Sequence, residues 1–156
     1  MKEEYIEKYA MVMKWAIEYT NPNLKKGDTV LLRFDLEGLK LAETLYRILI
    51  KSKYNVIPRM IMTHNMERDF YTYADMEQIR FVPAGEKEFY ENLNGNIYIH
   101  APSSLTHLKG IDTAKQAEFA KARKFLRDIL EKRETQKLFG WTLCTYPTLE
   151  LAKQAG

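Results

Sequence analysis

The chain has 156 residues, room for one ordinary domain. Its 46% hydrophobic and 12% aromatic content exclude disorder, and 24 basic against 21 acidic residues leave only +3, too little for a dedicated nucleic-acid or membrane-surface protein. One cysteine excludes an internal disulfide and every multi-cysteine zinc or iron–sulfur pattern.

In chain order, residues 2–20 read as a helix, because Ile6, Tyr9, Ala10, Met13, Ala16 and Ile17 recur at three- and four-residue spacing. Asn21-Pro22-Asn23 stops it, since proline disfavours helical geometry in the residue before it. A turn at Lys26-Gly27-Asp28 leads into a strand over 29–34, apolar enough to be covered on both faces. Leu41, Ala42, Leu45, Ile48 and Leu49 predict a helix to about Ser52. A second strand follows from Tyr54 to Met62, with Pro58 marking an edge or a bulge. Residues 65–79 form a mixed, aromatic-rich helical segment closed by Val82-Pro83-Ala84-Gly85, and a short helix spans 86–92. Asn94-Gly95 turns into a strand at 96–100. Asp112 caps one long helix to about Thr135, with Phe119, Ala122, Leu126 and Ile129 as its buried row. A fourth strand over 139–145 and a helix opening at Thr148 complete the pattern. Strands alternating with helices predict an α/β domain over 1–156 with three layers: a mostly parallel sheet of about four strands, with helices on both faces. The last helix has barely two turns before Gly156, as in a natural terminus or a chain cut from something longer.

The opening MKEEYIEKYA has no apolar run behind its charges, and no apolar stretch approaches the ~20 residues that a bilayer requires. A soluble, cytoplasmic protein with no membrane partner is therefore expected. On the long helix, Lys115, Lys121, Arg123, Lys124 and Arg127 interleave with Glu118, Asp128, Glu131 and Glu134, as on a solvated face, so no nucleic-acid partner is expected either. Phe70, Tyr71 and Tyr73 form an aromatic patch that is core if covered and an interaction surface if several rings are exposed.

The chemistry-bearing signatures are mostly missing. Phe34-Asp35-Leu36-Glu37-Gly38 after the first strand has one glycine where a dinucleotide loop needs three, and there is no P-loop, Gly-x-Ser-x-Gly elbow or His-Glu-x-x-His helix. What remains lies near the carboxyl ends of the strands, where open parallel sheets bind ligands: Asp35, Glu37, His64, His100 and Cys144. Brought together, they would supply metal ligands or a Cys–His pair. The plainer reading makes the carboxylates solvated, the histidines loop caps and Cys144 a small core residue; it is preferred because no two of these residues share a ligand spacing. His107 reads as a lone histidine in an exposed loop.

The order of segments resembles the N-terminal domain of the thermophilic metalloprotease family, metal-dependent aminopeptidases of the aminopeptidase T and aminopeptidase S type. The resemblance rests on Tyr9-Ala10 in the opening helix, on Leu24-Lys25-Lys26-Gly27-Asp28 leading into Thr29-Val30-Leu31-Leu32-Arg33, and on the Leu41-Ala42 helix. It continues through Gly110-Ile111-Asp112 before the basic helix to Trp141-Thr142-Leu143-Cys144-Thr145-Tyr146-Pro147-Thr148 with Leu151-Ala152 behind it. Phe70-Tyr71-Thr72-Tyr73 and the loop from Pro102 to His107 depart from the pattern.

The resemblance implies a full-length enzyme that uses two divalent metal ions to release N-terminal residues from peptides. It implies that the ligands lie in a C-terminal part, so that this chain supplies no catalytic, cofactor-binding or metal residue. Its partners are then that catalytic domain, a second copy in a homodimer and, in the full-length enzyme, peptide substrates. Two readings compete: a free-standing α/β ligand-binding or protein-interaction module, and a small enzyme using Asp35, His64, His100 and Cys144, which requires those side chains to converge on one pocket.

Overall fold

In a computed structural model that describes residues 2–155, the chain runs through α1 (Glu3–Thr20), β1 (Thr29–Phe34), a 3₁₀ turn (Leu36–Gly38), α2 (Leu39–Lys51) and β2 (Asn55–Met60). It continues through α3 (His64–Tyr73), α4 (Met76–Arg80), α5 (Glu86–Asn92) and β3 (Gly95–His100). The last elements are α6 (Thr113–Ala122), α7 (Lys124–Thr135), β4 (Gly140–Thr145) and α8 (Leu149–Ala155). The four strands form an all-parallel sheet in the order β2-β1-β3-β4, the middle layer of the three-layer α/β arrangement that the alternating pattern predicts.

The two helices α1 and α2 cover one face. Ile6, Ala10, Met13 and Ile17 of α1 and Leu41, Leu45 and Leu49 of α2 bury their stripes against Val30, Leu32, Ile97 and Ile99 of the central strands. Burying each of the larger side chains among them contributes on the order of 1.5–3 kcal/mol, so this layer is the main core. The end of α1 is tied to the sheet by Asn21, which is 2% exposed and donates from Nδ2 to the Asn94 carbonyl at 3.0 Å. Asn94 in turn accepts the Thr29 N–H on its side chain and the Gly140 N–H on its carbonyl, so one residue joins the entries of three strands.

The other face is thinner. Leu31, Leu93 and Phe139 are its buried cluster, with Phe89 of α5 and Leu130 of α7 packed against them. A satellite cluster of Tyr71, Ala74 and Ile79 lies under Phe119 of α6. Pro58 falls on an edge strand, as its missing N–H requires, and β2 is shorter than the 54–62 expected. The aromatic segment divides into α3 and α4, because Asp75 and Gln78 form a capping box that opens a new helix. Within it Tyr71 is buried and Phe70 half-buried, leaving only Tyr73 fully exposed at 80%, so the patch is core and not an interaction surface.

The long helix expected from Asp112 to Thr135 breaks at Arg123 (φ −105°, ψ 2°). Its halves pack on different supports, α6 on α4 and α7 on α5, and of the expected buried row only Leu126 is fully buried. Nor is its charged face wholly solvated. The Arg123 guanidinium lies 3.6 Å from the Phe119 ring centroid and donates to the Ile79 and Phe81 carbonyls. Lys115 donates to the Tyr71 and Ala74 carbonyls, and Arg133 to those of Leu93 and Leu138. These cations close the ends of other elements. Lys124 and Arg127 behave as expected, pairing with Asp128 and Glu131 one turn on.

Candidate functional site

In the sheet order, β1 and β3 are neighbours, while the chain leaves β1 toward β2 and leaves β3 toward β4. Such a reversal opens a crevice at the carboxyl ends of the two strands. Asp35 follows β1 directly, its backbone held by an N–H bond to the Ile99 carbonyl at 3.1 Å. Side chains alternate along β3, so Tyr98 and His100 point to one face and Ile97 and Ile99 into the main core. On that shared face the Tyr98 hydroxyl donates to Asp35 Oδ1 at 2.9 Å, the Ala101 N–H donates to Oδ2 at 2.7 Å, and His100 Nδ1 lies 3.2 Å from Oδ2 and 3.2 Å from the Tyr98 hydroxyl. The Tyr98 phenol is pushed well above its ordinary range, chiefly by burial and then by the Asp35 carboxylate, so it stays a donor. Asp35 is thus a satisfied anchor and not a free ligand.

His64 opens α3, where the Thr63 hydroxyl caps the Met66 N–H. Its Nδ1 is 2.7 Å from Ser103 Oγ, and its ring stacks on that of His107 with centroids 4.1 Å apart. His107 Nε2 meets Glu67 Oε2 at 2.7 Å, while its Nδ1 is buried without a partner. His107 is therefore no isolated loop histidine; it is a half-buried member of a cluster joining α3 to the segment after β3. His64 is held below its ordinary value, first by burial and then by His107, against the opposing pull of Asp35, Glu37 and Glu67.

Asp35, Glu37, Thr63, His64 and Ser103 line one small polar crevice of about 30 Å³, room for a water molecule or two. It shares Glu37 and Ser103 with an open cavity of about 390 Å³ walled by Tyr146, Glu150 and Lys153. An apolar cleft of about 340 Å³ lies elsewhere, between α2 and the β2 edge over Leu32, Phe34, Tyr46 and Pro58.

The fold thus brings Asp35 beside His100 and places His64 and Glu37 in the adjoining crevice. It does not bring Cys144 to them. Cys144 lies in register with Ile99 and shares its face, buried under Tyr9 in the main core. Burial pushes its thiol up to about 11, the opposite of an activated nucleophile. Sequence reasoning missed Tyr98, Glu67, Ser103 and the pairing of His107. Tyr98 and His100 carry an i, i+2 signal and His64 and Glu67 an i, i+3 signal, both readable once the strand and helix are placed.

A catalytic metal pair needs several carboxylates and imidazoles with lone pairs free to converge. Asp35 spends its oxygens on Tyr98 and Ala101, Glu67 spends one on His107, and among the described residues no three His, Cys, Asp or Glu side chains are grouped to hold a metal ion. The residues present do not fit such a centre.

The sequence profile of the thermophilic metalloprotease (M29) family matches residues 2–155. None of the curated proteins compared with the chain matches it. Among solved structures, wild-type AmpT from Thermus thermophilus superposes with a TM-score of 0.66 at 19% identity. The match covers 94% of this chain and 36% of that one, so the chain spans about a third of its relative's length.

Proposed function

Because the chain belongs to the thermophilic metalloprotease family, we propose that it is the N-terminal, non-catalytic part of a metal-dependent aminopeptidase. In this reading a separate C-terminal part holds two divalent ions and removes N-terminal residues from peptides. This domain is the scaffold that helps to enclose the substrate and contributes to a homodimer, in the cytoplasm. One observation carries the reading: the family match runs almost from end to end of a chain that spans about a third of its structural relative and groups no three metal-ligating side chains among its described residues. No described helix is long and apolar enough to cross a membrane.

The direct test is turnover of aminoacyl and peptide substrates by the 156-residue chain in the presence of zinc, cobalt or manganese. Background rates are expected with every metal, and metal-dependent release of N-terminal residues would overturn the assignment. The free-standing module keeps one favouring observation, the crevice at the strand ends with its adjoining cavity. A reading frame that stops after Gly156 supports that alternative; one that continues into a ligand-bearing segment supports the scaffold.

A further inference from the structure

The His64–His107 stack lies beside the crevice at the strand ends, and its chemistry points to a distinct property. His64 is the first residue of α3, where the helix dipole disfavours an added positive charge. Its ring stacks on that of His107 at an interplanar angle of 29°, and His107 has its Nε2 committed to Glu67 and its Nδ1 buried with no acceptor or donor in reach. Its Nδ1 lies 2.7 Å from the Ser103 hydroxyl, and the cluster ties the start of α3 to the loop after β3. Arg68 adds a tether that does not titrate, donating to the His107 and Lys109 carbonyls. The charged and titratable groups facing His64 are therefore His107 from the loop, Glu67 from its own helix, and Asp35 and Glu37 from across the crevice, with the neutral Ser103 hydroxyl beside them.

We infer that this stack is an acid-sensitive latch: a proton on His64 drives its ring off His107, away from Ser103 and toward the Glu37 carboxylate, loosening residues 102–107 over the crevice. Protonation sets an imidazolium face to face with a second imidazole at the positive end of a helix. Glu37, on the other side of the same crevice, offers the new charge a better partner, and Asp35, committed to Tyr98 and Ala101, adds attraction at longer range. Arg68 at the His107 and Lys109 carbonyls, Thr148 at the Pro102 carbonyl and Glu150 at the Leu105 N–H hold the rest of the loop in place, so the opening is local.

The sign follows from the lowered His64 value. The closed form binds fewer protons than the open form, so closure is complete at neutral pH. It weakens as pH falls below the ordinary histidine value of about 6.5.

The test combines an NMR titration of the histidine rings with amide hydrogen exchange, corrected for intrinsic rates, at about pH 7.5 and about pH 5.5. His64 is expected to titrate below an unstructured histidine. Protection of residues 102–107 is expected to fall at least about threefold on acidification while β1 and β3 keep theirs. His107→Gln keeps a donor to Glu67 and removes the stacked imidazole, so it should raise the His64 midpoint and flatten the pH dependence of protection. An unchanged midpoint in that variant, or protection at 102–107 that ignores pH in the wild type, overturns the latch. If circular dichroism shows that His107→Gln does not fold, His64→Asn decides: its 102–107 protection must be independent of pH, and a surviving pH dependence overturns the inference.

Discussion

On one face of the sheet, two helices interlock fully buried aliphatic side chains with those of the central strands; on the other, Leu31, Leu93 and Phe139 form a small buried cluster with Leu126 near it, and Trp141 and Leu143 of β4 remain about half exposed. The second face compensates with cations. Arg133 closes the loops at Leu93 and Leu138, Arg123 and Lys115 close α4 and α3, and Arg59 reaches Glu86 at 3.1 Å while lying over the Phe89 ring. A layer built on area loses stability when volume is removed. A layer built on tethers loses it when a donor is removed, because the stranded carbonyls are costly to bury.

The largest expected effect separates the two layers directly. Leu45 is fully buried in the first, and Leu45→Ala should cost about 3 kcal/mol through lost transfer energy and the cavity left behind. Leu130 is only half-buried in the second layer, and the same truncation there should cost about 1 kcal/mol. Urea unfolding of both variants measures the difference. Equal losses would mean that the thin face is as densely packed as the other and that the contrast is wrong.

A glycine sharpens the comparison from the other direction. At Gly140, a Cβ would lie 2.7 Å from Asn21 Cβ and 2.8 Å from the backbone of Thr20 and Asn21, where the end of α1 presses on the start of β4. Backbone cannot give way as a flexible side chain does. Gly140→Ala should therefore destabilise the chain by about 2 kcal/mol, read as a shift in the urea midpoint. A neutral result would show that the α1 layer is loose at its edge.

The first layer was legible because its information is periodic. Ile6, Ala10, Met13 and Ile17 repeat at helical spacing, as do Leu41, Leu45 and Leu49, so the elements and their buried faces follow from order alone. The second layer was not, because a cation that caps a carbonyl some forty residues away has the same local pattern as one exposed to water: Arg123 and Arg127 differ only in what the fold places before them. The candidate site divides in the same way. Asp35 and His100 were named from their places at strand ends, and the strand order brought them together. Glu67, Ser103 and His107 meet through a loop whose path carries no periodic signal, and Cys144 was separated from the rest by the parity of β4.

The smallest expected effect concerns that parity. Cys144 faces the dense layer, and burial pushes its thiol up to about 11, with the Tyr9 hydroxyl contact pulling weakly the other way. An acid whose folded value is raised stabilises the fold while it stays protonated, and that contribution is lost as pH rises from about 9 through about 11. Cys144→Ala should consequently lose less stability than the wild type across that interval, the more so because Cys144 also helps to raise the Tyr9 phenol. At pH 8 the same burial leaves almost no thiolate and no path for a reagent, so a thiol-specific probe should label the native chain at least about a hundredfold more slowly than the urea-unfolded chain. Rapid native labelling would place Cys144 at an accessible surface, and the α1 layer would then be open where β4 joins it.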